Sequence, residues 1–228
     1  MDRLATISLL RWMSSRTRTM SSSPDSLTAR GRATRQRLID TARAELLHGG
    51  GTLEVAAVAE AAEVSPGLLY RYFGAKDGLV SAVVHDFYDS YNDAVLSAHM
   101  APEADWATRE RMRLAREIDF LCEEPMARII VGRQLREPAA AAADAERLAE
   151  HIDLAARNVA YGQRIGQVPA SIDARLAAAA FMGAFRELMA EALSREVVPS
   201  RKTLLDTIWG FGGSLGLAEV PESRSSQA

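Results

Sequence analysis

The stretch that decides the fold is residues 55–73, which read VAAVAEAAEVSPGLLYRYF. Apolar residues recur at helical spacing in its first half, which predicts a short helix with one apolar face. Ser65 and Pro66 follow. This pair is typical of a helix start, because a serine oxygen accepts an early amide and proline lacks the amide that would be unpaired there. The stretch therefore predicts two short helices joined by a tight turn.

The second helix of this pair has an inner and an outer face. Leu69 and Phe73 lie four residues apart, so both are expected on the buried side. The open side is then formed by Gly67, Leu68, Arg71 and Tyr72. Two short helices in this arrangement are the layout of a helix-turn-helix that binds DNA.

The sequence around this stretch resembles the DNA-binding region of the TetR family of transcription regulators. The matching segments are TRQRLIDTA at residues 34–42, VAEAA at 58–62, VSPGLLYRYF at 64–73 and AKDGL at 75–79. They reproduce the pattern V-S-x-G-x-L-Y-x-Y-F-x-x-K-x-x-L, and the resemblance extends over residues 34–84. The rest of the chain is similar to the family only in length and helical character.

Two positions depart from the family pattern. Glu63 occupies the turn position that is usually glycine, and a positive φ there would cost a residue with a side chain on the order of 1 kcal/mol. Residues 49–51 are all glycine, where the family usually has an aromatic residue followed by one glycine. Leu46 or Leu47 is expected to replace the missing aromatic side chain. Neither departure touches the predicted DNA-binding face.

The resemblance implies which residues contact DNA. Tyrosine hydroxyls and a lysine amine hold phosphates, whereas an arginine such as Arg71 pairs bidentately with guanine and discriminates between bases. The alternatives are a half-buried Tyr70 that braces the first helix and a solvated Arg71. The predicted set is Arg30, Arg32, Thr52, Ser65, Pro66, Gly67, Leu68, Tyr70, Arg71, Tyr72 and Lys76. Thr52 and Ser65 belong to it as residues expected at helix starts.

The residues before the first helix are expected to be a disordered extension, since residues 1–28 are rich in Ser, Thr and Arg without apolar periodicity. Met20 is an ordinary start for the family, so residues 1–19 are a candidate start-site artefact. Arg30 and Arg32 follow and are expected to act as a basic arm. An arginine interrupts the one apolar run, so neither a signal peptide nor a membrane span is expected.

Composition and charge agree with a helical DNA-binding protein. The chain has 228 residues, 48% of them hydrophobic, with few β-branched runs, which favours helices. Residues 1–78 carry 11 Lys and Arg against 8 Asp and Glu, whereas the remainder carries 16 against 22. This asymmetry fits a DNA-binding domain joined to a domain that does not bind DNA. Cys122 is the single cysteine, so no intramolecular disulfide is possible and we expect a cytoplasmic protein. Arginine supplies nearly all of the basic residues, which indicates a GC-rich bacterial genome, and the protein is expected to associate with the nucleoid when bound to DNA.

These observations predict an all-α chain of about nine helices. The expected organisation is a disordered extension at 1–28, a three-helix DNA-binding domain at 29–78, a helical ligand-binding and dimerisation domain at 79–220, and a disordered tail at 221–228. Within the second domain, Ser171 is expected to cap the penultimate helix.

The last two predicted helices combine small residues with large apolar ones. One interpretation is a pair of core helices within the chain. The resemblance implies instead a four-helix dimer interface, two helices from each subunit, with which a homodimer reads the two halves of a palindrome. The predicted interface residues are Phe181, Phe185, Leu204, Ile208, Trp209 and Phe211.

In the resembled family a small molecule binds within the second domain and shifts the two DNA-binding domains apart. The apolar candidates for such a pocket are Phe87, Tyr91, Trp106, Met112, Phe120, Met126, Met182 and Phe185, each equally suited to an ordinary core. The polar candidates are His85, His99, His151 and Arg133. No cofactor is expected, and no histidine pair or Cys/His cluster has the spacing of a metal site.

The sequence lacks the motifs of the common enzyme classes: it has no Walker loop, no nucleophile elbow and no HExxH zinc motif. It predicts a sequence-specific transcriptional regulator, a ligand-responsive repressor that binds a palindromic double-stranded DNA operator as a dimer. Its effector is an unidentified small molecule. The alternative is a helical small-molecule-binding or adaptor protein with a vestigial DNA-binding domain. Repressor is the family default, and the residues do not distinguish it from an activator.

Overall fold

The computed structural model describes residues 27–96, 103–135 and 137–217. These residues form nine α-helices and contain no strand, which confirms the predicted all-α fold. The helices are α1 Ala29–His48, α2 Val55–Ala61, α3 Pro66–Phe73, α4 Lys76–Tyr91, α5 Trp106–Glu123, α6 Pro125–Ile130, α7 Pro138–Arg164, α8 Ala174–Ser194 and α9 Arg201–Ser214. A π-helical turn, Asn92–Leu96, extends α4. We call α1–α3 the N-terminal unit and α5–α9 the body; α4 connects them.

Helix α1 begins earlier than the sequence indicated. Its N-cap is Thr28, whose hydroxyl accepts a hydrogen bond from the Gly31 amide at 3.2 Å. The guanidinium of Arg32 donates to the Leu27 carbonyl at 2.7 Å. Arg30 and Arg32 therefore lie in the first turn of a helix, and their contact with DNA as a basic arm stays a prediction. Most of the predicted extension and all of the predicted tail lie outside the described residues.

The N-terminal unit closes on apolar side chains. The buried ones are Leu38, Ile39, Ala42, Leu46, Val58, Ala59, Ala62, Leu69 and Phe73. Of the two leucines expected to replace an aromatic residue, Leu46 is fully buried and Leu47 is half-buried. Each fully buried large side chain contributes about 1.5–3 kcal/mol to folding. The same cluster continues through α4 into the body, so both parts share one hydrophobic core.

In the body, α7 packs against α4 and α8, and α9 packs against α5 and α8. The cap of α8 is Asp173, whose carboxylate accepts hydrogen bonds from the Arg175 and Leu176 amides, both at 2.9 Å. The prediction of Ser171 as the cap was wrong by two residues. A carboxylate is also the better cap electrostatically, because the helix N-terminus carries partial positive charge. None of the described helices is long and apolar enough to span a membrane.

Candidate DNA-binding surface

The turn between α2 and α3 contains a strained residue. Glu63 has a φ of 55°, which confirms the positive φ predicted for this position. The Val64 amide reaches back to the Ala59 carbonyl at 2.9 Å, so α2 ends in the hydrogen-bond pattern that accompanies a left-handed residue. A side chain in this conformation costs roughly 1 kcal/mol, and the turn carries that cost where the family has glycine.

Helix α3 presents one face to the core and one to the outside, as predicted. Leu69 and Phe73 are buried. Tyr70 is 50% exposed, so its ring is accessible from outside. The exposed residues of α3 and its cap are Ser65, Pro66, Gly67, Tyr70 and Arg71, with Leu68 and Tyr72 half-buried. The outer face thus offers a phenol, a guanidinium and bare backbone in one short helix.

The two hydroxyls expected at helix starts behave differently from the prediction. Ser65 precedes α3 in an extended conformation, but its hydroxyl makes no capping hydrogen bond. The Leu68 amide instead bonds the Ser65 carbonyl at 3.0 Å. Thr52 does not begin a helix, because α2 starts at Val55, and its hydroxyl donates to the Gly49 carbonyl at 2.8 Å. Both residues remain exposed on the surface.

A close approach between α3 and α4 brings Lys76, the lysine predicted to bind a DNA phosphate, to the end of α3. A Cβ at Gly78 would lie 2.0 Å from the Phe73 carbonyl oxygen, so only glycine allows the first turn of α4 to lie against α3. Lys76 is the first residue of α4. Its ammonium group is bound to Glu137, which raises the pKa of Lys76.

The body contains a partly buried ion pair that the sequence interpretation missed. Arg186 on α8 donates to Asp144 on α7 at 2.7 Å and to the Tyr88 hydroxyl on α4 at 2.9 Å. Tyr88 donates to Asp144 at 2.5 Å, and burial raises the pKa of this tyrosine. We call these residues the Arg186 triad. The available sequence signal was an arginine inside an otherwise apolar stretch of α8.

A second set of polar side chains, the Glu117 group, adjoins the triad. His151 Nε2 lies 3.0 Å from Asn92 Oδ1, and the imidazole stacks on the Tyr91 ring with centroids 5.1 Å apart. The Tyr91 hydroxyl is hydrogen-bonded to Glu117 on α5. Burial raises the pKa of Glu117 to about 7 and lowers the pKa of His151 to about 4, because both charged forms lose hydration.

Three of the eight apolar pocket candidates meet beside the Glu117 group. The Phe120 ring centroid lies 5.7 Å from that of Phe87 and 5.6 Å from that of Tyr91. These distances are those of interacting aromatic rings. The structure thus brings together candidates from α4 and α5 that are about thirty residues apart in the chain.

The other five apolar candidates lie elsewhere. Trp106 is buried in a separate apolar cluster with residues of α7 and the last described segment. Met126 is fully buried in the core shared by the N-terminal unit and the body. Of the three candidates that remain, Met112 is 40% exposed, Met182 is half-buried and Phe185 is buried.

The polar pocket candidates are also dispersed. His151 belongs to the Glu117 group, whereas His85 is half-buried and accepts a hydrogen bond from Arg147 at 3.0 Å. Arg133 is exposed and pairs with a glutamate of α8. His99 lies outside the described residues.

Two surface clefts of about 390 Å³ each occur away from the aromatic rings. One lies between α1 and α6, with Leu47, Cys122 and Arg128 in its lining. The other lies between α7 and α8, beside Asp153 and Arg175. Burial raises the pKa of the Cys122 thiol, which keeps it protonated and unreactive at neutral pH. In the part of the chain that the structure describes, no cluster of His, Cys, Asp and Glu fits a metal ion.

The predicted dimer-interface residues divide into two groups. Phe185, Leu204 and Ile208 are buried within the chain at 2–3% exposure, so they are core residues that a partner cannot reach. Phe211 is exposed at 38%, and Phe181 and Trp209 are half-buried. One face of each of the last two helices packs against the core, and the opposite face is exposed to solvent.

That opposite face is mostly made of small residues. Its positions on α8 and α9 are Leu176, Ala180, Gly183, Glu187, Thr203, Thr207, Gly210 and Phe211. A Cβ added at Gly183 or Gly210 would meet no other atom within 4 Å. We call this surface the α8–α9 face.

Comparison with known proteins finds one matching family model, which covers the N-terminal part of the chain. The family model for bacterial regulatory proteins of the tetR family matches residues 38–83, from α1 into α4. No curated protein matches the chain in sequence.

Several solved structures share the fold. The fatty acid degradation regulator FadR from Bacillus halodurans superposes with a TM-score of 0.65 at 20% identity, covering 76% of this chain and 94% of that chain. A putative TetR-family transcriptional regulator from Rhodococcus sp. gives 0.60 at 21%, covering 80% and 98%. The FadR of Bacillus subtilis, in complex with stearoyl-CoA, gives 0.64 at 17%, covering 76% and 96%. Residues 38–83 are thus similar to the tetR family model, and the chain shares its fold with these solved structures.

Proposed function

We propose that this protein is a sequence-specific DNA-binding transcriptional regulator, a ligand-responsive repressor that binds a palindromic operator as a homodimer. The observation that carries the proposal is the outer face of α3. There Tyr70 and Arg71 are exposed beside the bare backbone of Gly67, while Leu69 and Phe73 fix the helix to the core. A helix held in this way can enter the major groove without rearranging.

The residues of this surface divide by chemistry. The Arg71 guanidinium suits guanine O6 and N7, so it is the candidate for reading sequence. Phosphate contacts are assigned to cations and hydroxyls of this surface, which are the exposed Arg30, Arg32, Thr52, Ser65 and Tyr70 and the half-buried Tyr72 and Lys76. Pro66, Gly67 and Leu68 lie at the start of α3 and form its closest approach to DNA. Phosphate contacts position the protein, whereas the base contact supplies specificity.

The α8–α9 face supports the homodimer. Gly183 and Gly210 leave room for the backbone of a partner helix, and the exposed ring of Phe211 supplies an apolar contact. A two-fold axis here pairs two DNA-binding units, each of which reads one half of a palindrome. This assignment replaces three residues of the sequence prediction, Phe185, Leu204 and Ile208, with exposed ones.

The effector is proposed to act on the body where the aromatic rings and the Glu117 group meet. The Arg186 triad and the Glu117 group join α4, α5, α7 and α8 through buried polar contacts. A small molecule that separates these helices moves α4, whose first residue is Lys76. The structurally similar FadR of Bacillus subtilis was solved in complex with stearoyl-CoA, which supports a small-molecule ligand for a protein of this fold.

The test is selection of duplexes from a random DNA pool by the purified protein at moderate salt. We expect enrichment of a palindrome whose half-site spacing matches a two-fold dimer, with sedimentation giving the mass of two chains. The Arg71→Ala protein, run in parallel, is the control for sequence selection. A folded, dimeric protein that enriches no sequence would favour the alternative, a helical small-molecule-binding or adaptor protein with a vestigial DNA-binding unit.

A further inference from the structure

An ion pair links the predicted DNA-binding surface to the body. Lys76 Nζ lies 2.9 Å from Glu137 Oε1. Lys76 directly follows the turn after α3, whereas Glu137 directly precedes α7. The lysine assigned to a DNA phosphate is therefore already bound by a carboxylate of the same chain.

The Glu137 side chain is mostly buried at the start of α7. It is the N-cap of α7, but its carboxylate makes no hydrogen bond to the amides of that helix, which leaves it to Lys76. The Glu137 side chain is 15% exposed, against 34% for Lys76. Before it, the Gln134 and Leu135 amides both bond the Ile129 carbonyl at 3.0 Å. The carboxylate thus belongs to the residue that directly precedes α7 and is paired with Lys76.

This segment also touches the N-terminal unit directly. A Cβ at Gly51 would lie 2.2 Å from the Gln134 carbonyl oxygen, so the α1–α2 turn and the α6–α7 loop are in van der Waals contact. The Ser81 hydroxyl lies 3.5 Å from the Ala139 carbonyl, at the start of α7. The ion pair therefore lies beside other contacts between the start of α7 and α4.

The electrostatics oppose simultaneous binding of DNA and Glu137. The hydrogen bond to Glu137 raises the pKa of Lys76, so the amine is cationic while it is paired. Glu54 and Asp77 add negative charge nearby. A phosphate that approaches this amine meets the Glu137 carboxylate as a like charge, and close like charges repel each other.

We propose that Glu137 competes with DNA for Lys76, so that the body lowers the DNA affinity of the N-terminal unit until this pair opens. This autoinhibitory contact rests on the proposed DNA-binding function. Movement of α7 relative to α4 opens the pair. Asp144, seven residues further along α7, binds Tyr88 of α4 and Arg186 of α8. A ligand that displaces α7 is therefore expected to act on Lys76 as well.

The test is a double-mutant cycle on DNA binding by the full chain. Affinities for one enriched duplex and one scrambled duplex are measured by fluorescence anisotropy for the wild type, Glu137→Gln, Lys76→Met and the double variant. Glu137→Gln is expected to raise affinity for both duplexes about two- to fivefold per half-site, the range of one partly exposed ion pair. This gain is expected to vanish in the Lys76→Met background. Glu146→Gln, an exposed position on α7, is the matched control for loss of one negative charge.

Each outcome supports or overturns the proposed competition between Glu137 and DNA for Lys76. Unchanged or weaker binding by Glu137→Gln overturns the proposal, since Glu137 would then be neutral or would orient Lys76 for DNA. An equal gain in the Lys76→Met background also overturns it, because the carboxylate would then act only as a general repulsive charge. If wild type and Glu137→Gln both fail to bind any duplex, the DNA-binding function fails and the competition fails with it. Binding by Glu137→Gln alone supports both.

A second readout does not depend on DNA. The chain has two lysines, Lys76 and Lys202, so labelling lysine with ¹³C at Cε gives two resonances. In Glu137→Gln the Lys76 titration midpoint is expected to fall, and the Lys202 resonance, from a lysine that pairs with Asp206 instead, serves as the internal reference. Circular dichroism confirms that the variant is folded. An unchanged Lys76 midpoint would contradict the pair itself.

Discussion

The N-terminal unit and the body differ in where they place their polar groups. The N-terminal unit closes on apolar side chains and carries its arginine and tyrosine groups on the surface. The described residues classed as buried and polar are Asn92 and His151, which lie in the Glu117 group, next to the Arg186 triad. The difference agrees with the proposed function, since groups that bind DNA must be accessible from solvent, whereas groups that join several helices lie between those helices.

The largest effect is expected from breaking the ion pair between Asp144 and Arg186. Asp144→Ala leaves the Arg186 guanidinium without its carboxylate, which should lower the free energy of unfolding by about 2–4 kcal/mol. This loss is smaller than that expected for a fully buried pair, because both side chains are about one-fifth exposed. Urea unfolding monitored by circular dichroism measures this loss. Glu191→Ala breaks the exposed pair with Arg195 and should cost about 0–1 kcal/mol. Similar losses in the two variants would remove the distinction between interior and surface.

The next effect tests the outer face of the N-terminal unit. Arg71→Ala should cost about 1–3 kcal/mol of discrimination between the selected duplex and a scrambled one. Lys76→Ala should weaken binding to both duplexes and lower the salt slope by about one. Anisotropy titrations at several salt concentrations separate the two outcomes. Neither change should alter the free energy of unfolding by more than about 0.5–1 kcal/mol. Equal losses on both duplexes from both variants would contradict the assigned roles.

The pH dependence of stability tests the Glu117 group. Burial raises the pKa of Glu117 to about 7 from an ordinary value near 4.5, so the folded chain holds a proton there that the unfolded chain has released. The contribution of this carboxyl is therefore fully present below about pH 4.5 and is lost as the pH rises through about 7. His151 has the opposite sign, because its pKa is lowered to about 4 and acid stabilises the unfolded chain.

A single substitution separates these opposing contributions. Glu117→Gln should be more stable relative to wild type at pH 8 than at pH 5, by about 1–2 kcal/mol after allowance for solvent screening. Urea unfolding at both pH values measures the difference, with the exposed Glu146→Gln as the control. A pH-independent difference would show that Glu117 titrates normally in the folded chain.

The smallest effect is expected at the strained turn. Glu63→Gly should raise the free energy of unfolding by at most about 1 kcal/mol and raise the melting temperature, since glycine adopts a φ of 55° without strain. Glu60→Gly, inside α2, should lower stability because glycine loses more freedom in a helix. Differential scanning calorimetry compares the two. A lower melting temperature for Glu63→Gly would reject strain at this turn.

The parts of the molecule that were predictable are those with local causes. The spacing of Leu69 and Phe73, the proline at the start of α3 and the positive φ at Glu63 each follow from neighbours within a few residues, and each was confirmed. The cap of α8 was misplaced because Ser171 and Asp173 are both good caps, and the choice depends on where packing begins the helix.

The interface residues show where local reasoning stops. Phe185, Leu204 and Ile208 were assigned to a dimer because large apolar residues suit a core and an interface equally. Which face of α8 and α9 meets the rest of the chain decides between the two, and that is a property of the packed helices. The exposed glycines and the half-exposed Phe211 mark the remaining face.

The sequence by itself determined the helical class, the helix-turn-helix and the similarity of the N-terminal region to one family, since these rest on periodicity, turn chemistry and a motif of about fifty residues. Only the tertiary structure decided that Lys76 is bound by Glu137 and that Arg186 is paired with Asp144 and Tyr88. Arg186 is 42 positions from Asp144 and 98 from Tyr88 along the chain, and Lys76 is 61 positions from Glu137. Their partners are selected by the packing of whole helices, which no local pattern records.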